Sequence, residues 1–414
     1  MSNSNTHPAV LFVYGYMFVI TQESFNFLWS KVGNLKVPSL ALCKFRRTMK
    51  PHFFKTELAI FTAFITIGCG NVGKQDSGNQ VLETETIFSP RSYDHLTGRT
   101  SVKIGFGSCL DQDKSMAILD EVKAAAPDMF LMIGDNVYGD TPSGELTRME
   151  SAYAKQKENF AAMSPEFPVE AIWDDHDYGI NDGGTDYPHK EEAENMFLEF
   201  WEIQEDDVRR TRPGLYREQR LDLGGKTVQL LYLDTRYFRG PLDHTDEEGA
   251  AGKERYLPTD DTTRTMLGNT QWLWLEDKLQ APADYRLIVS SIQFLAAGHG
   301  WECWRMLPHE VDRFVSLLDR YSVDNMLFLT GDRHRGGLYQ LTTPAGNTIY
   351  EITSSPLNAD TFPVEEDGPL RLGATYTDSN FGLITIDTEQ NTMLVELKDG
   401  DGGNVNTLTV ELGS

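Results

Sequence analysis

One arrangement recurs six times in this sequence: a short apolar run that stops on a polar, mostly acidic, cluster. Cys109 follows "VKIGFGS" (102–108), Asp135 follows "DMFLMIG" (128–134), and Asp174-Asp175-His176-Asp177 follow "VEAIW" (169–173). Asp234-Thr235-Arg236 follow "KTVQLLYL" (226–233), Ser290-Ser291 follow "YRLIV" (285–289), and Asp332-Arg333-His334 follow "NMLFLTG" (325–331). Between these runs lie stretches with helical spacing. They are 114–126, stopped by Pro127, then 145–163, 190–201, 269–279 and 309–321. Strands alternating with helices in this way make an α/β fold, and ligand sites in such folds collect at the carboxyl ends of the strands. Six polar clusters at six strand ends therefore converge on one rim. From Gly337 onward the pattern becomes period-two: 337–343, 347–355, 381–387, 391–399 and 406–412, which predicts an antiparallel meander. An α/β part feeding a β-rich part predicts two packed sheets with helices outside.

The ends of the chain and its charge bound its setting. A formal net charge of -25 over 414 residues argues against a polyanionic partner such as nucleic acid, which needs Lys and Arg. "KFRRTMKPHFFK" (44–55), "ELAIFTAFITI" (57–67) and "GCG" (68–70) follow the basic, apolar, small-plus-Cys order of a lipoprotein signal peptide. Residues 49–68 are expected to be that signal, with Cys69 lipidated; Thr66 departs from the usual aliphatic, and an ordinary signal peptide is the alternative. Arg46-Arg47 has the form of a twin-arginine signal, but Met49 offers a second start that loses both, so residues 1–48 are left out of the fold reading. Residues 69–100 are polar and aperiodic and read as a tether, with the folded domain at 101–414. The expectation is an exported protein, periplasmic or at the cell surface, held to a bacterial membrane through its lipid. Four cysteines are too few for a disulfide framework, and Cys43 and Cys69 fall in the leader.

The polar clusters have a common chemistry. Asp135, at a strand end behind a glycine, is suited to bridge two cations, since its two oxygens are separate hard ligands; capping the next helix is the competing role. Tyr138 points to the same side one turn on. Asp174, Asp175 and Asp177 repel one another, and a metal or an arginine relieves that most simply; Asn181 and Asp182 follow before two glycines. Asp332 and His334, two residues apart, can reach one centre. Cys109 is either a small buried hydrophobe, a metal-bound thiolate or half of a disulfide with Cys303, which otherwise reads as structural. Phenolate favours ferric iron, whereas carboxylate and amide oxygens suit Ca²⁺ or Mg²⁺. Two such cations clamp a phosphate and stabilise an in-line displacement. Arg236 either adds charge on the equatorial phosphate oxygens or pairs with the acid cluster.

From about Val102 onward, "GSC", "GDNVYGD", "WDDHDYGINDGG", "YLDTR", "QWLWL", "AAGHGW", "TGDRHRG" and "EITSSPLN" stand in an order and spacing that resembles the PhoD-like, or alkaline phosphatase D, branch of the metallophosphoesterases. The resemblance implies a metallophosphoesterase-like sandwich of two mixed β-sheets flanked by helices. It implies hydrolysis of phosphate monoesters or diesters, with Fe³⁺ on positions corresponding to Cys109, Asp135, Tyr138 and His334. Ca²⁺ would sit on positions corresponding to Asp135, Asp175, Asp332 and Asn181, and His176 at the substrate as proton donor or orienter. Members of the branch often carry an extra β domain ahead of the catalytic one; here only the tether precedes Val102, which implies a more open cleft. "WECW" also departs from the pattern at Cys303. Two other classes compete: a phosphate- or phospholipid-binding surface lipoprotein with little turnover, and a calcium-stabilised structural protein. The latter would use "DGDGG" (399–403), which has Val410 where a calcium loop has Glu and reads better as a hairpin turn.

Overall fold

The structure is a computed structural model that describes residues 86–411 apart from 89, 325 and 363–367, together with the backbone of a hairpin pairing Val10–Val13 with Tyr16–Val19. Cys69, the 49–68 leader and residues 69–85 of the tether lie outside the described residues. The chain divides into two units, Met1–Glu83 and Thr84–Ser414, and the second holds both large sheets and every candidate ligand.

In chain order the second unit begins β1 (Ser101–Gly107), α1 (Ala117–Ala124), β2 (Met129–Ile133), α2 (Met149–Met163) and β3 (Val169–Ile172). It continues with α3 (Asp175–Tyr178), α4 (Lys190–Phe200), β4 (Arg217–Leu223), β5 (Lys226–Tyr232), α5 (Gly268–Gln280) and β6 (Tyr285–Val289). Then come α6 (Pro308–Tyr321), β7 (Met326–Thr330), β8 (Gly337–Thr342), β9 (Thr348–Thr353), β10 (Asn380–Asp387), β11 (Thr392–Asp399) and β12 (Asn404–Glu411). Two six-stranded sheets result, ordered β12-β11-β10-β1-β2-β3 and β8-β9-β7-β6-β5-β4. Both are mixed: β1, β2 and β3 run parallel, as do β5, β6, β7 and β9, while β10–β12, β8 and β4 pair antiparallel.

The central strands are apolar on both faces because both faces are covered. Met129, Leu131 and Ile133 join Leu287, Val289, Leu327 and Leu329 in a core between the sheets, while Phe130 and Met132 turn outward to the layer of α1, α2 and α4. On the far side Leu231, Ile288 and Phe328 pack under α5 and α6 with Trp272 and Phe314. Alternate residues of one run thus feed different cores, which is the period-two geometry of a strand buried on both sides.

The period-two tail is not one meander. β8 and β9 extend the second sheet, whereas β10, β11 and β12 form the antiparallel half of the first. Alternation records that one face of a strand is covered, and carries no information about which sheet covers it. β4 escaped the sequence reading altogether: "REQRLDL" is polar because it is an edge strand, and it turns into β5 through Gly224 and Gly225, at φ 60 and 86. "DGDGG" is the turn between β11 and β12, where Asp399 Oδ1 accepts from the amides of Asp401 (3.0 Å) and Gly403 (2.7 Å). Among the described residues no helix is long and apolar enough to cross a membrane.

Candidate metal centre

Where the strands of both sheets end, the chain must turn out within one or two residues, and it does so in a conformation that side chains resist. Cys109, Asp135, Asp332 and His334 have φ of 60, 50, 62 and 51, each a non-glycine residue in the left-handed region. Such backbone costs on the order of 1 kcal/mol or more per residue and persists only where the surroundings over-determine it. The turn after β2 is held tightly: a Cβ on Gly134 would lie 2.6 Å from the Asp174 Cβ and 3.1 Å from the Ser291 Cβ. Glycine there lets the ends of β2, β3 and β6 close on one another.

These turns bring eight of the sequence-expected residues to one cleft. Cys109, Asp135 and His334 form one group, Asp135, Asp175 and His176 a second, and Asp135, Asp174, Asp175 and Asp332 a third; within each group the potential ligand atoms all lie within 4.8 Å of one another. Asp135 is common to all three. Its Oδ2 accepts from the Cys109 thiol at 3.3 Å and from the Tyr138 hydroxyl at 3.5 Å, and that hydroxyl is 3.2 Å from His334 Nε2. Its Oδ1 faces the other way and accepts from the His176 amide at 3.3 Å. Asn181 stands on the same cleft wall as Asp135, Asp175, Asp332 and His334. His176 meets Asp140 Oδ1 through Nδ1 at 2.7 Å, which turns its Nε2 edge away from that partner.

The electrostatics of this cluster favour a bound cation or protonated acids. Burial, and then the charges of Cys109 and Asp175, hold the Asp135 carboxyl well above the usual range. Burial does the same to Asp332, followed by the repulsion of Asp174 and Asp175. Desolvation pushes the Cys109 thiol up to about 12, raises the Tyr138 phenol, and presses His334 down to about 4. Among the described residues, Asp174 Oδ2 and Asp175 Oδ1 are buried without a hydrogen-bond partner. His176 is driven the opposite way: burial opposes its charge, but Asp175, Asp135 and Asp140 raise it well above the ordinary histidine value. Thiol, phenol, imidazole and several carboxylates, short of positive charge and with orphaned oxygens, fit a bound metal ion. A bound cation inverts the local pKa logic and takes up those oxygens.

Behind the cleft is a supporting layer that absorbs the rest of the acid cluster. Asp177 caps its own helix, accepting from the Asp174 amide at 2.7 Å. Arg236 corrects the expectation that it stabilises substrate charge. Its guanidinium is fully buried, its Nε bonds Asp174 Oδ1 at 2.5 Å and its Nη1 pairs with Glu302, so it neutralises the acids and does not line the cleft. Ser291 Oγ also donates to Asp174 Oδ1 at 2.6 Å. Asp234 is spent on the backbone amides of Leu215, Arg236 and Tyr237, each at 2.9 Å. Cys109 and Cys303 are both free thiols, and Cys303 sits in the α5–α6 core, so the disulfide alternative falls.

Several wall residues had no place in the sequence reading. Glu302 is buried, pairs with Arg236 and with Arg239 Nε (2.7 Å), and burial lifts its carboxyl to about 7. Arg255, Trp301, Arg333 and Phe362 complete the cleft. Phe362 stacks on both Trp301 and His334, with ring centroids 5.5 and 5.2 Å away. A charge embedded between aromatic residues, as in "GWECW", was the available signal for Glu302.

Residues 105–397 match the family model of the PhoD-like phosphatases. Among solved structures the chain is similar to one of PhoD, with a TM-score of 0.58 and 16% identity over 77% of this chain and 73% of that one. That likeness concerns the fold. A structure of TT1561 from Thermus thermophilus aligns at 12% identity and a TM-score of 0.32, over 76% of this chain and 100% of that one. No curated protein matches.

The role assigned to Arg236 has a measurable consequence. Arg236→Met strands two buried carboxylates and is expected to lower the unfolding free energy by about 3–5 kcal/mol, read by urea denaturation of the metal-loaded protein. A loss below about 1 kcal/mol would show that Arg236 is not the counter-charge of this layer.

Proposed function

This chain belongs to the PhoD-like phosphatase family, and on that premise we propose that it is an exported, metal-dependent phosphoesterase acting on phosphate monoesters or diesters. The observation that carries the proposal is the position of Asp135, whose two oxygens face different ligand groups across one cleft. Cys109, Asp135, Tyr138 and His334 would hold Fe³⁺. Asp135, Asp175, Asp332 and Asn181 would hold Ca²⁺. Such a pair, when bound, activates water and neutralises charge on a transferring phosphoryl group.

The chain's own residues do the rest. His176, held at Nδ1 by Asp140, presents Nε2 as a proton donor to the leaving oxygen. Asp140 acts through His176 and is a positioning residue. Arg255, paired with Asp182, and the buried Arg333 line the cleft and bring positive charge to its wall for an anionic ester. Trp301 and Phe362 cover its apolar side. The leader and Cys69 support export and a lipid anchor, which would set this chemistry at a bacterial membrane surface.

Three outcomes test this. Asp135→Asn is expected to lower turnover of a chromogenic phosphate ester by about 10³-fold or more, and to lower bound metal measured by mass spectrometry. A binding protein with the same fold would show no turnover to lose. The native protein is expected to be coloured by phenolate-to-iron charge transfer, and Tyr138→Phe to abolish the band; a colourless iron-loaded protein would remove the phenolate from the ligand set. Labelling cells with a tagged fatty acid should mark the native chain and not Cys69→Ala, and equal labelling of both would refute the anchor.

A further inference from the structure

A second cavity adjoins the metal cleft. It lies between the loop 180–188 and the short hairpin that pairs Asp243–His244 with Tyr256–Leu257. Asn181 and Asp182 line both spaces, so the two are neighbours across those residues. The cleft at the metals measures about 80 Å³, room for a phosphoryl group but not for its organic substituents as well; the neighbouring groove measures about 310 Å³. That is the lower end of the range for small-molecule sites.

The chemistry of the groove wall restricts what fits. Ile180, Pro188, Pro241 and Leu242 give it an apolar floor. Its one arginine among the described residues is already engaged: Arg239 Nε forms an ion pair with Glu302 at 2.7 Å, Nη1 donates to the Gly240 carbonyl at 2.8 Å and Nη2 to the Gly183 carbonyl at 2.9 Å. Asp182 takes the Arg255 guanidinium at 2.6 Å and the Tyr256 hydroxyl at 2.9 Å. Asp186, exposed, adds a carboxylate, and His244 lies against the Tyr256 ring with centroids 5.2 Å apart. Among the residues that line the groove, a second anion meets the Asp186 carboxylate and no lysine, and the one arginine is already paired. His176, the donor to the leaving oxygen, lines the cleft and not the groove. The groove is therefore on the side of the ester oxygen that is retained.

We infer that this groove seats the retained alcohol of a phosphodiester, and that it selects an alcohol that is uncharged or cationic over one that carries a negative charge. The inference rests on the phosphoesterase reading and narrows its substrate class. Asp186 and His244 are then specificity-determining residues.

The test uses the full metal-loaded protein and three p-nitrophenyl probes that release the same phenol: the phosphate monoester, the diester with choline, and the diester with a hydroxycarboxylate. Within the unsubstituted enzyme, kcat/KM for the choline diester is expected to exceed that for the carboxylate diester by about tenfold or more. Asp186→Lys should shrink or invert that ratio. His244→Trp, which narrows the groove, should lower kcat/KM for both diesters relative to the monoester measured in the same variant. Equal rates on the two diesters, or ratios to the monoester that neither substitution moves, overturn the groove inference while the phosphoesterase reading stands. An unsubstituted enzyme that hydrolyses none of the three overturns the phosphoesterase reading and the groove with it.

Discussion

The interaction on which the rest depends is the mutual repulsion of carboxylates that the fold forces together out of water. Buried Asp135, Asp174 and Asp175 and half-buried Asp332 lie within one small volume, and Arg236 pairs directly with Asp174 alone among them. Arg236 answers for Asp174, and the helix cap removes Asp177 from the problem. The remaining acids face the cleft. Positive charge from outside would stabilise these acids in their ionised form, and the placement of Asp135 between two ligand groups would let it serve two sites.

Backbone strain and side-chain electrostatics serve the same end. Four of the candidate ligands occupy left-handed backbone, in turns that leave the strands abruptly enough to aim side chains back over the sheet edge. Such turns hold because their neighbours are locked. Gly134 is wedged against Asp174 and Ser291, while Ser355 Oγ donates to the Cys109 sulfur at 3.1 Å and accepts from the His334 amide at 2.9 Å. The two rows of hydrophobic residues on each central strand then fix where the strand ends fall.

Much of this was legible in the sequence because it follows from alternation and from cost. Apolar runs ending in acids announced the strands and their rim. The density of charge in "WDDHDYG" pointed to a cation or an arginine, and the structure uses Arg236 for one acid while leaving others to the cleft. Three things were not legible. The assignment of period-two strands to one sheet or the other depends on a long-range choice that local pattern does not encode. The edge strand β4 lacks the apolar signal because one side of it has no sheet to meet. The Arg236–Glu302–Arg239 network joins segments that nothing in either segment alone connects.

The candidate ligands come from both sheets. Cys109, Asp135 and Asp175 follow strands of one, Asp332 and His334 a strand of the other, and a hydrogen bond from Ser355 reaches back across 246 residues to Cys109. An ion held jointly by these groups acts as a rivet between the two halves of the sandwich. A nascent N-terminal half offers only part of the candidate set, since Asp332 and His334 are made later on the ribosome. For an ion held by donors from both sheets, affinity would in part be the affinity of one sheet for the other.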